Sequence, residues 1–216
     1  MLQNFIDPSK YGLPQLVQRM KMILIAFLEE MESAVQKPTR GRRLATLEEE
    51  GNKVLALLVR QLFLASRDWA LARRIGSPDP RQLLEWRVVV HTLGELAEMF
   101  GEALRALNEL AGKLPTEAAG VVGTAVPDLK VQLKAVVEAL MHPSLDHACG
   151  VYYETRNTMF APGSSGRRAA SAGKAGSTRA ISQLLERGAG CLALLAEVAI
   201  DRAVAAGAET ILVEAA

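Results

Sequence analysis

Apolar residues recur at intervals of three and four between residues 79 and 112, which is the most regular pattern in the chain. They fall on two neighbouring lines of seven-residue spacing: Leu83, Val90, Ala97, Leu104 and Ala111, and Trp86, Leu93, Phe100 and Leu107. Such lines share one face of an α-helix. Asp79 and Pro80 are typical of a helix start, and Gly112 is typical of a helix end. The pattern predicts a helix about 50 Å long that needs long partner helices.

Similar apolar stripes predict further helices along the rest of the chain. They cover residues 14–36, 44–74, 116–141, 144–160 and 179–206. Pro127 lies inside one of them and is expected to kink that helix or delay its start. Residues 162–178 are rich in Gly, Ser and Ala and carry basic side chains, so a mobile basic loop is predicted there, and its role stays open. Residues 211–213 are expected to form a short extended tail.

Short turns between long helices favour antiparallel neighbours. Each half of the chain then contains three helices, of which the third is the most regular, and this suggests an internal duplication. The predicted fold is all-α, with two tandem three-helix bundles of long antiparallel helices, similar to spectrin repeats in general plan. The first bundle is expected over residues 1–113 and the second over residues 114–216.

Composition is consistent with this plan. Half of the residues are hydrophobic, only 5% are aromatic, and the net charge is +1. This charge gives no general reason to expect binding to nucleic acid or to acidic lipid. Charged residues interrupt the apolar stretches before the ~18 residues that a membrane span needs, and no signal peptide is recognised. We therefore expect a cytoplasmic protein whose two cysteines, Cys149 and Cys191, are reduced thiols.

Signals of catalysis are weak. Gly173-Lys174 lacks the glycine spacing and the following Ser or Thr of a phosphate-binding P-loop. His142 and His147 have no ligand cluster of known spacing around them and are expected to have a turn or surface role. No Gly-x-Ser-x-Gly sequence marks a hydrolase nucleophile. The sequence predicts that the protein is not an enzyme.

Three stretches of the first half resemble parts of one known domain. The first stretch is Phe5-Ile6-Asp7-Pro8-Ser9-Lys10-Tyr11, which is similar to the lead-in of the PhoU domain of archaeal phosphate-uptake regulators. Leu57-Leu58-Val59-Arg60-Gln61-Leu62, followed by Arg67-Asp68 and Leu71-Ala72, resembles its second helix. Leu84-Glu85-Trp86-Arg87-Val88-Val89 resembles the start of its third helix. The resemblance covers residues 5–112 and is poor beyond them.

The resemblance implies two tandem three-helix bundles, a cytoplasmic location and a regulatory role in phosphate uptake. It implies the form of the family without an N-terminal AbrB-like DNA-binding domain. The expected partners are components of a phosphate ABC transporter or an associated signalling protein. Such partners would bring this protein into contact with a membrane protein. Contact with nucleic acid is not expected, and the question of a homodimer stays open.

The family often binds iron or zinc clusters through Glu-x-x-x-Asp pairs on its helices, because two carboxylates four residues apart share one helical face. The matching pairs in this chain are Glu48 with Asn52, Gly94 with Glu98, and Glu186 with Gly190. Each pair keeps one carboxylate. Glu48, Glu98 and Glu186 are therefore degenerate metal positions that we expect to be unoccupied, with weak iron or zinc binding as the alternative. Close approach of a neighbouring helix is the favoured reason for the two glycines.

The sequence thus predicts a PhoU-like regulator of phosphate uptake or phosphate signalling that acts by protein–protein interaction and needs no cofactor. Two alternatives stay open. One is a metal-binding helical protein with residual cluster sites, and the other is a structural α-helical adaptor unrelated to phosphate.

Overall fold

The computed structural model describes residues 11–37, 41–110, 114–160 and 176–214, and within these residues the chain forms helices and no strand. The helices are α1 (Leu13–Gln36), α2 (Gly41–Ala65), α3 (Trp69–Arg74), α4 (Pro80–Glu109), α5 (Thr116–Met141), α6 (Leu145–Phe160) and α7 (Gly176–Glu214). The all-α prediction is confirmed. None of the helices in the described residues is long and apolar enough to cross a membrane.

The start of α4 follows from its capping residues. Asp79 has an extended backbone, and its Oδ1 accepts a hydrogen bond from the Arg81 backbone N–H at 2.8 Å. Pro80 occupies the first helical position, where its missing N–H costs nothing. Both features confirm the predicted start. The predicted stop at Gly112 lies outside the described residues.

The long helix predicted over residues 44–74 is wrong in one respect, because it is broken into α2 and α3. The Asp68 Oδ1 accepts a hydrogen bond from the Leu71 backbone N–H at 3.1 Å, so Asp68 caps a new helix instead of continuing the old one. After α3 the chain turns at Gly76, whose φ of +93° is in the left-handed region that favours glycine. This turn sets α4 against α2.

Two further predictions are corrected in the second half. Helix α5 runs without interruption through Pro127, so a late start after the proline is wrong. Pro127 lies on the exposed side of the helix. Valines that precede and follow it in the sequence are buried and hold the helix against its neighbours. The last helix extends from Gly176 to Glu214, so the extended tail at residues 211–213 is wrong too. The alanine-rich sequence before that point favours helix over termination.

Four helices form a closed ring at the centre of the molecule. Helix α4 packs on α7, α7 on α5, α5 on α1, and α1 on α4. Helix α2 lies outside the ring against α1 and α4, and α6 lies outside it against α5 and α7. Each half of the chain thus supplies two inner helices and one long outer helix, and the short α3 of the first half lies against α2. One continuous apolar core runs through both halves. The division at residue 113 stays a prediction.

The core contains the seam that the sequence predicted on α4. Trp86, Leu93, Phe100 and Leu107 are all buried. Phe100 is fully buried, and a Cβ built on Gly188 of α7 would lie only 3.0 Å from its Cε1 atom. A Cβ on Gly190, two residues later, would meet no atom within 4 Å. Close helix approach therefore explains Gly188, whereas the prediction of close approach at Gly190 is wrong.

These two glycines give a matched pair of stability variants. Gly190→Ala is expected to raise the free energy of unfolding by about 0.5–1 kcal/mol, because alanine is the better helix former and the site has room. Gly188→Ala is expected to lower it by about 1 kcal/mol, because the new methyl group presses on the Phe100 ring. Urea denaturation of both variants measures the difference. Equal gains at the two positions would contradict the close packing of α7 on α4.

Candidate functional site

Glu48, the first degenerate metal position, lies on α2 and is already engaged. Its Oε1 accepts hydrogen bonds from Arg105 of α4, at 2.7 Å from Nη2 and 3.1 Å from Nε. A Cβ on Gly101 would lie 3.2 Å from the same oxygen. The carboxylate therefore lies directly against α4, where the guanidinium neutralises it. Arg105 is 57 residues away in sequence, so local patterns gave no sign of this pair.

The other positions of the first half lie along the same pair of helices. Gly94 of α4 lies beside Leu55 of α2, since a Cβ there would be 3.6 Å from a Leu55 methyl group, an ordinary contact. Glu98 lies between this contact and the Glu48–Arg105 pair along α4, and it is exposed. Asn52 is exposed on α2. The structure thus places these positions on neighbouring helices, with an arginine bound to the Glu48 carboxylate.

Glu186, the position from the second half, lines an open cleft between α4 and α7. The cleft has a volume of about 480 Å³, and Glu102, Gln183 and Arg187 line it with Glu186. Partial burial raises the pKa of the Glu186 carboxyl. Glu102 was not singled out in the sequence, because only the pairing of α4 with α7 brings it to this cleft. Glu186 is thus associated with Glu102 and not with Glu48.

In the part of the chain that the structure describes, no group of three or more His, Cys, Asp or Glu side chains is placed to hold a metal ion. We expect protein purified without chelators from metal-supplemented medium to contain less than one tightly bound iron or zinc ion per chain, because a cluster needs several anionic oxygens. Elemental analysis measures this. The double variant Asn52→Asp, Gly94→Glu is expected to bind metal more tightly. Two or more ions per wild-type chain would contradict the expectation.

A buried ion pair connects three helices at the other end of α4. The Arg202 guanidinium of α7 lies 4.4 Å from the centre of the Trp86 ring, and its Nη1 lies 3.3 Å from Glu85 Oε2. Its Nε donates to the backbone carbonyl of Leu140 on α5 at 3.2 Å. Burial raises the pKa of Glu85 and lowers the pKa of Arg202. This cluster joins α4, α5 and α7.

The two cysteines are free thiols, as expected. Cys191 is half-buried on α7, and its Sγ lies 3.9 Å from Glu95 Oε2. Burial and the nearby carboxylate raise the pKa of Cys191 to about 11. Such a thiol is a poor nucleophile at neutral pH, because the thiolate is the reactive form.

Alkylation tests this directly. In a Cys149→Ser variant, we expect iodoacetamide at pH 8 to modify Cys191 about a hundredfold more slowly than it modifies a free cysteine, whose pKa is about 8.5. The rate should rise steadily with pH toward about 11. Mass spectrometry of timed samples gives the rate. A rate at pH 8 equal to that of free cysteine would contradict the burial of this thiol.

All three histidines are exposed. His142 is exposed at the turn between α5 and α6, with its Nε2 3.4 Å from Glu138 Oε1, and His147 is exposed in the first turn of α6. His91 is exposed on α4, 3.7 Å from Glu95.

A surface feature that the sequence did not predict lies on α2 and α4, on the side that faces away from the ring. We name it the outer face, and it consists of Val59, Phe63, Leu84 and Val88. Leu84 is 72% exposed and Phe63 is 55% exposed. Arg67 covers one side of the Phe63 ring, with its guanidinium carbon 4.4 Å from the ring centre. Exposed apolar side chains that lie together often mark a binding surface.

The fold and these features define a helical bundle protein whose described surface includes an exposed apolar face and an open cleft. No family model, no curated protein and no solved structure matches the chain.

Proposed function

We propose that this protein is a PhoU-like regulator of phosphate uptake that acts by binding another protein, and not by catalysis. The partner is a component of a phosphate ABC transporter or a signalling protein associated with it. Binding takes place through exposed helix faces, and the phosphate state of the cell reaches this protein through the partner.

The observation that supports the proposal is the way the first two PhoU-like stretches meet in space. Tyr11, the last residue of the lead-in segment, accepts a hydrogen bond through its backbone carbonyl from the Gln61 side chain of α2. The Leu13 backbone N–H donates to the carbonyl of Ile75, just after α3, at 2.9 Å. Asp68 caps α3, as described above. Segments that are far apart in sequence therefore form one corner of the molecule.

The helix arrangement adds support. Each half contains three long helices, and the third long helix of the first half, α4, packs on the third of the second half, α7. This arrangement is compatible with the paired three-helix bundles that the resemblance implies. Since folds host many functions, this agreement supports the architecture more strongly than the role. The proposed role in phosphate regulation therefore rests on the PhoU-like segments themselves.

Affinity capture from native cells tests the proposal. The tagged chain, produced at its normal level, is recovered from cells grown with high and with low phosphate. We expect subunits of a phosphate transporter to be enriched over a control capture with a tagged helical protein of similar size. Deletion of the gene should also change the rate of phosphate uptake. If the transporter is present in the lysate but is not enriched, and if uptake is unchanged, the proposal is wrong.

A further inference from the structure

We infer that the outer face of α2 and α4 is a two-fold interface with a second copy of this chain, centred on Val88. The inference is independent of the proposed function. It follows from the order of charged and apolar side chains along α4 and from the register of α2 beside it.

One pair of opposite charges on α4 lies symmetrically about Val88. Arg81 precedes Val88 by seven residues, and Glu95 follows it by seven residues. Seven residues are about two turns, so the three positions lie near one line on the helix, at intervals of about 10 Å. All three side chains are exposed. A basic group thus lies on one side of the apolar centre and an acidic group at the same distance on the other.

Helix α2 places its own apolar residues at the same level. Glu48 lies beside Gly101, and Leu55 lies beside Gly94, so the two helices are antiparallel. Continuing this register by two turns along α2 brings Phe63 level with the segment of α4 around Val88. Phe63 and Val88 therefore lie near the centre of one surface patch, and Val59 and Leu84 complete it.

A two-fold axis through this centre reverses the direction of α4 in the second copy. Arg81 of each copy then faces Glu95 of the other, and the contact is made twice. The apolar side chains of the two outer faces meet in the middle. An apolar centre with a charged rim is the usual anatomy of a protein interface. A second copy of this chain is the occupant that supplies the same charges in reverse order.

The contacts that Arg81 and Glu95 make within the chain are weak enough to leave both side chains available for a second copy. Arg81 Nε lies 3.9 Å from Asp79 Oδ2, and the Arg81 side chain is 86% exposed. Glu95 Oε1 lies 3.7 Å from His91, and Glu95 Oε2 lies 3.9 Å from Cys191 Sγ. None of these separations is that of a strong charged hydrogen bond.

Charge reversal gives a specific test by sedimentation velocity. The wild-type chain is expected to dimerise in a concentration-dependent manner. Arg81→Glu sets acid against acid across the axis, and Glu95→Arg sets base against base, so each variant alone should dimerise at least about tenfold more weakly. A mixture of the two variants restores both opposite-charge contacts. The mixture should therefore form a heterodimer within a few-fold of the wild-type affinity.

Val88→Glu is the second variant, because it places two carboxylates together at the axis and no mixture repairs it. Val131→Glu is its matched control, since Val131 is 67% exposed on α5, outside the patch. It should dimerise like the wild type. Far-UV circular dichroism checks that each variant is folded. A wild-type chain that stays monomeric, a folded Val88→Glu variant with unchanged association, or reversal variants that do not recover on mixing would each overturn the inference.

Discussion

Replacing Phe100 with alanine is expected to lower the free energy of unfolding by about 3–5 kcal/mol. The phenyl group is fully buried, and a Cβ on Gly188 of α7 would lie only 3.0 Å from its Cε1 atom. The ring of four inner helices holds α4 from two sides, so the neighbours cannot close fully over the space that the phenyl group leaves. The loss therefore includes both the buried apolar surface and the cavity.

Urea denaturation gives this value from the midpoint and the slope. Tyr153→Ala is the matched control, because Tyr153 is also a large aromatic residue but is 65% exposed on α6. Its ring only meets the edge of Tyr152, at 5.8 Å between centres, so a loss of about 1 kcal/mol or less is expected. A loss of less than about 1 kcal/mol for Phe100→Ala would mean that the α4 seam does not face the core.

Replacing Arg202 with methionine is expected to destabilise the protein by about 3 kcal/mol. The substitution removes the cation over the Trp86 ring and the hydrogen bond to the Leu140 carbonyl. It also leaves Glu85 in a largely buried position with no opposite charge, since the Glu85 side chain is only 18% exposed. Removing one partner of a buried pair costs more than removing both. The double variant with Glu85→Met should therefore recover much of the loss.

The cost of Arg202→Met should depend on pH. Burial already raises the pKa of Glu85 in the folded protein, and Arg202 opposes that rise. Without Arg202 the folded-state pKa rises further above the unfolded value. Glu85 then binds its proton more tightly in the folded state, so stability falls as pH rises through the folded pKa. Denaturation at pH 5 and pH 8 should show the larger deficit at pH 8. An equal loss of stability at both pH values would contradict this account. So would a double variant that recovers none of the lost stability.

The long helices could be predicted because their information is repeated at every turn. Each turn of α4 places another apolar residue of the seam in the core, so single exceptions do not disturb the pattern. The break after α2 was missed because the apolar pattern continues through it. The only local signal was Asp68, whose side chain caps the next helix when the residues after it fold. A search for caps within the apolar pattern would have found it.

Side-chain partners could not be predicted, because they depend on which helices become neighbours. The pairing of Glu48 with Arg105, and of Glu85 with Arg202, joins residues 57 and 117 positions apart. The degenerate metal positions followed from the family resemblance, but Glu102 lies beside Glu186 only through the packing of α4 on α7. The close approach at Gly188 has the same origin, and no local pattern distinguishes it from Gly190.

The closed ring of inner helices implies an order in which the native state opens. Helices α2 and α6 each lie against two ring helices, while the ring itself needs neither of them to close. Partial unfolding that releases an outer helix therefore exposes less apolar surface than any opening of the ring, and it has the lower free energy. Fluctuations under native conditions should begin at α2 and α6, and α1, α4, α5 and α7 should lose their structure together, at the free energy of global unfolding.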